Sequence, residues 1–93
     1  MVKKTIRDKK GWVTFTFFPT ETIETVVISG EWNDWIDEPM KMKKNGEYFI
    51  TKILNVGYIY QFGYKINGNE WKIDDECPTV ATPFFSHNSL LEL

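Results

Sequence analysis

From Tyr58 to Asn67 the chain alternates: Tyr58, Tyr60, Phe62, Tyr64 and Ile66 fill one parity, while Gln61, Gly63, Lys65 and Asn67 fill the other. Successive side chains of a strand point to opposite faces, so this spacing predicts a strand with an aromatic, core-facing side and a polar side. The segment from Trp12 to Phe18 reads the same way, with Val13, Phe15 and Phe17 on one face and Trp12, Thr14 and Thr16 on the other. Pro19 closes it, because proline brings no N–H to a ladder. Further strands are expected at Glu24 to Ser29, Met40 to Lys43, Glu47 to Leu54, Glu70 to Ile73 and Ser89 to Leu93. The buried face of Glu47 to Leu54 stays open: Tyr48, Ile50 and Leu54 lie on one side, Phe49 and Ile53 on the other. Asn45-Gly46 is a hairpin signal, since both residues tolerate positive φ. No segment sustains a helical period. About seven short strands, spaced roughly eight to twelve residues apart, predict an all-β, immunoglobulin-like antiparallel sandwich.

A chain of 93 residues defaults to one domain. Lys3, Lys4, Arg7, Lys9 and Lys10 against Asp8 make residues 1–10 a basic arm, expected to be flexible and solvated, with the sandwich over 11–93. Net charge is −2, so the remainder is acidic, which argues against nucleic acid, whose phosphates call for a basic patch on the domain itself. Cys77 is the single cysteine and permits no intramolecular disulfide. No apolar run approaches the ~20 residues of a membrane span. The expectation is a cytoplasmic protein without a membrane partner.

The residues offer little to catalysis, and the chain is read as no enzyme, with no metal and no cofactor. His87 has no cysteine nearby, and Ser86 beside it points to the opposite face of a strand. Asp74, Asp75 and Glu76 lack the ligand spacing of a calcium loop and read as solvated. The acidic neighbours of Cys77 raise a thiol pKa. A sandwich this small leaves little room for the cleft that paired carboxylates require.

Binding is better supported. Val26-Val27-Ile28-Ser29-Gly30-Glu31-Trp32-Asn33-Asp34-Trp35 reads as a β-branched strand that delivers two Trp residues onto a polar turn. Trp12 and Trp32 suit interior positions, whereas Trp35 and Trp71 lie among polar residues at strand ends. A sugar presents C–H groups on its faces and hydroxyls around its rim. An exposed indole with amide or ammonium groups beside it satisfies both sets. The polar groups on offer are Lys65, Asn67, Ser86 and Asn88.

Two stretches carry a family resemblance over about Trp12 to Leu93. Val27-Ile28-Ser29-Gly30-Glu31-Trp32-Asn33-Asp34-Trp35 and Tyr60-Gln61-Phe62-Gly63-Tyr64-Lys65-Ile66-Asn67-Gly68, with Trp71 and Asp74 downstream, resemble the glycogen-binding domain of the AMP-activated protein kinase β subunit. That domain belongs to the family 48 carbohydrate-binding modules, early-set immunoglobulin-like domains. The resemblance implies that Trp32 is a buried ring and that Trp35 and Trp71 are sugar platforms. It further implies that Phe84 passes through a glucan ring, Ser86 supplies a hydroxyl and Asn88 an amide. The family's binding lysine falls on Gly63. Lys65 lies on the same face roughly 6–7 Å away by strand rise, and either substitutes for it or leaves the site weakened or reshaped. The implied function is non-catalytic binding of an α-1,4-glucan or malto-oligosaccharide. The alternative is a protein-interaction or regulatory module that docks on a carbohydrate-active enzyme or kinase-like partner without binding sugar.

Overall fold

The computed structural model describes residues 1–21, 23–83 and 86–93. Among them ten strands form two antiparallel sheets: β1 (Val2–Arg7), β2 (Lys10–Phe17), β3 (Val26–Gly30), β4 (Glu38–Pro39), β5 (Lys41–Met42), β6 (Tyr48–Asn55), β7 (Ile59–Ile66), β8 (Glu70–Lys72), β9 (Thr79–Ala81) and β10 (His87–Glu92). One sheet runs β1-β2-β6-β5 and the other β4-β3-β7-β10-β9, with β8 also paired to β7. If β1, β2, β3, β5, β6, β7 and β10 are taken as strands A to G, the orders become ABED and CFG, the immunoglobulin arrangement. Strands β8 and β9 are short additions between the sixth and seventh of these. The expected antiparallel sandwich is therefore present.

The two inner faces meet through large rings. Phe15 of β2 packs edge-on to Phe62 of β7 at 5.0 Å between centroids, and Phe17 lies 5.1 Å from Tyr64. Val13, Val26, Ile28, Met40, Tyr48, Leu54, Ile66 and Leu91 complete the buried core. Tyr48 and Leu54 settle the open question of β6, whose Tyr48–Ile50–Leu54 side faces inward while Ile53 is exposed. Both Asn-Gly turns use their conformational freedom: Gly46, Asn67 and Gly68 take φ of 87°, 51° and 78°.

Four expectations are corrected. Residues 2–7 of the supposed arm form β1, in register with β2 from Val2↔Phe15 to Arg7↔Lys10. Val2 turns toward the core, and Lys4 Nζ donates to the Glu92 carbonyl at 2.9 Å, so the segment has contacts that hold it. Trp12, expected inside, is 39% exposed on the outer face of the four-stranded sheet, as its parity opposite Val13 and Phe15 requires. Glu38–Pro39, outside every strand expected from the sequence, pairs with Val27–Ile28, and its proline sits on an edge strand where no N–H is missed.

The fourth concerns Asp74, which is 3% exposed rather than solvated. Its Oδ2 accepts from the Tyr64 hydroxyl at 2.8 Å and the Met1 ammonium at 2.7 Å, and its Oδ1 accepts from the Glu76 backbone N–H at 3.0 Å. Burial alone would push this carboxyl up, yet these donors outweigh burial and hold it below the usual carboxylate range. No helix of the described residues is long and apolar enough to cross a membrane.

Candidate functional site

Strand β3 ends at Gly30 and passes into a single 3-10 turn, Glu31–Asn33. The chain then takes two consecutive left-handed conformations, Asp34 at φ 60° and Trp35 at φ 64°. A bulky residue there costs on the order of 1 kcal/mol or more and needs surrounding structure to hold it. Four contacts do so. Trp35 N–H donates to the Gly30 carbonyl at 2.9 Å, and Ser29 Oγ donates to the Trp35 carbonyl at 2.9 Å. The Asn33 amide accepts from Ile36 N–H and donates to the Ile36 carbonyl, each at 3.2 Å.

The turn sends its two indoles opposite ways. Trp32 folds back over Gly30, where an added Cβ would lie 2.5 Å from its Cη2, and packs 5.2 Å from Phe15 and 6.0 Å from Phe62. Its Nε1 is buried without a hydrogen-bond partner among the described residues. Trp35 turns outward and stays 39% exposed.

The second outward indole comes from β8, where Trp71 stands opposite Lys65 of β7. Its ring leans along β7 and covers Gly63: a Cβ at that position would meet Trp71 Cζ2 at 2.1 Å. Trp71 Nε1 donates to the His87 carbonyl at 3.0 Å, which fixes the ring between β7 and β10. Gly63 is itself in register with Ser29, so two small residues underlie this part of the face. The Trp35 and Trp71 centroids are 6.3 Å apart and their planes are inclined by 53°.

The indoles border a groove of about 490 Å³. Gln61 and Asn88 also line it, with the Asn88 Nδ2 donating to Gln61 Oε1 at 3.0 Å. Ala81, Thr82, Pro83 and Ser86 complete the lining. Every one of these described residues is uncharged. The groove is thus apolar at its indoles and amide-bearing beside them, and the described lining includes no titratable side chain.

Four of the residues named from sequence, Trp35, Trp71, Ser86 and Asn88, are brought together here. Lys65 is not. It shares their sheet face, but its Nζ is bonded to Asp37 at 3.0 and 3.3 Å and does not line the groove. Phe84 lies outside the described residues. Asn67 is spent on structure, its Oδ1 accepting from the backbone of Glu24 and Thr25. Sequence reasoning missed Gln61, although it shares a parity with Gly63 and Lys65, and it missed the 81–83 wall, which carries no pattern of its own. Elsewhere, burial first and the Asp74 carboxylate second push the Cys77 thiol up to about 11, so it is protonated and unreactive at neutral pH.

No family model and no curated protein matches the chain.

Proposed function

We propose that this protein is a non-catalytic module that holds α-glucan of the glycogen or starch type in the Trp35–Trp71 groove. The observation that carries this reading is the inclined pair of outward indoles bordering an uncharged groove. Each indole offers a flat apolar surface to the C–H face of a glucose ring, and the Gln61–Asn88 amide pair and Ser86 offer donors and acceptors to its hydroxyl rim. The inclination bears on the kind of chain. An α-1,4-linked glucan curves from one ring to the next, so adjacent rings present inclined faces. A β-1,4-linked chain is flat and calls for coplanar platforms.

An open groove buries few ligand atoms, so single short oligosaccharides bind weakly and a polymer with many sites binds with higher apparent affinity. The experiment is native electrophoresis through gels with and without glycogen. Glycogen retards the protein, and Trp71→Ala restores free mobility. Equal mobility of the folded wild-type protein in both gels overturns the reading.

A further inference from the structure

The outer face of the other sheet carries a second, chemically different surface. Because Arg7 pairs with Lys10, Thr5 with Trp12 and Trp12 with Ile53, the strands β1, β2 and β6 present these side chains in rows on one face. Lys3 lies on the same parity of β1, and Lys41 joins the face from β5, opposite Phe49. At its centre Trp12 and Ile53 stand side by side on the two inner strands, 39% and 57% exposed. Arg7, Lys10 and Lys3 stand in the rows on either side of them and Lys41 two rows away, and no strand residue of this outward parity is acidic, in a chain whose net charge is −2. Asp8 lies in the β1–β2 turn, and Glu47 lies beyond the rim, paired with Lys43 at 3.4 Å.

Cations on edge strands discourage edge-to-edge sheet pairing, which accounts for Lys3 and Arg7 on β1 and Lys41 on β5. That protection does not extend to Lys10 or to the Trp12–Ile53 pair, which sit on inner strands. An apolar centre with a charged rim is the anatomy of a protein-recognition surface, and a rim of one sign selects a partner of the other. Arg7 lies 6.0 Å over the Trp12 ring and Lys43 5.1 Å over Phe49, so both aromatic faces that a nucleobase would stack on already carry a cation.

We infer that this face docks an acidic protein segment that carries apolar side chains among its carboxylates. The inference does not rest on the glucan reading. The indole groove lies on the outer side of the opposite sheet, so both surfaces are open at once.

The test is an amide and indole NMR titration of the whole protein with a synthetic peptide that alternates Glu with Leu. Shifts are expected at Lys3, Arg7, Trp12 and Ile53 but not at the Trp35 or Trp71 indoles. The charge reversal Arg7→Glu with Lys10→Glu, at exposed positions that leave the spectrum folded, weakens the peptide by tenfold or more. Three results overturn the proposal: no shift on this face in the folded wild-type protein, tighter binding of oligothymidylate at the same residues, or the same shifts produced by concentrating the protein alone.

Discussion

Trp71 lies directly on Gly63, so closely that one added methyl group would meet the indole at 2.1 Å. The glycine is therefore the floor that lets the ring lie along β7. It also answers what stands where the resemblance places a lysine: at this position the chain supplies room for an indole in place of an ammonium. We expect Gly63→Ala to push the ring off β7, break the Trp71 Nε1 to His87 bond and abolish retardation by glycogen. Overpacking costs about 1–3 kcal/mol of stability, which a urea titration reads. Retained retardation in this variant contradicts the assignment.

Lys65 is expected to matter little. Its ion pair with Asp37 is partly solvent-exposed, with the two side chains 33% and 44% accessible, and surface pairs are worth about 0–1 kcal/mol. Lys65→Ala leaves glycogen retardation within about twofold of wild type, equivalent to under ~0.5 kcal/mol. A loss as large as that of Trp71→Ala means that the lysine reaches the sugar.

Asp74 predicts an acid limb of stability. Its carboxyl titrates lower in the folded state than in the unfolded chain, so between those two values the unfolded state binds more protons. Its stabilising contribution is complete above the unfolded carboxylate value near 4 and is lost as pH falls through the folded value. The urea midpoint falls over this acid range in the wild type, and Asp74→Ala flattens that part of the slope. At neutral pH the same substitution strands the buried Tyr64 hydroxyl and costs about 1–3 kcal/mol. An unchanged acid slope in Asp74→Ala contradicts the assignment.

Trp32 carries a buried indole N–H with no partner among the described residues. Replacing it by Phe removes that unpaired donor as well as ring volume, so the two effects oppose each other. Trp32→Phe is expected to cost about 1 kcal/mol or less, against about 3–5 kcal/mol for Trp32→Ala. Equal losses in the two variants mean that the N–H is satisfied.

The sandwich was legible because β2 and β7 write their inner faces in alternating apolar residues, Val13, Phe15 and Phe17 against Phe62, Tyr64 and Ile66. The opposite fates of Trp32 and Trp35 were expected too, from the polar neighbours of Trp35 and from the family resemblance, which implies a buried ring at Trp32. Strand β1 was masked by its charges: Lys3, Lys4 and Arg7 dominate a segment in which Val2 and Ile6 carry the apolar parity. Trp12 misled by type, since a large ring suggests the interior while its parity points outward. The hydrogen bonds of Asp74 join it to Tyr64 and the chain start, and no local pattern announces partners so far away in sequence. Likewise, the Gly63–Trp71 contact depends on how the β7–β8 hairpin closes, and the groove wall at 81–83 depends on how β9 lies beside β10.

That Trp35 and Trp71 act together as a curved-chain platform is tested by titration of the two indole N–H signals with maltoheptaose and, separately, with cellohexaose. Saturable shifts of both indoles with maltoheptaose, smaller ones with cellohexaose, and loss of the Trp71 response in Trp35→Ala are expected. Indole signals that stay fixed at saturating maltoheptaose, or that respond equally to the flat β-linked chain, contradict that joint role.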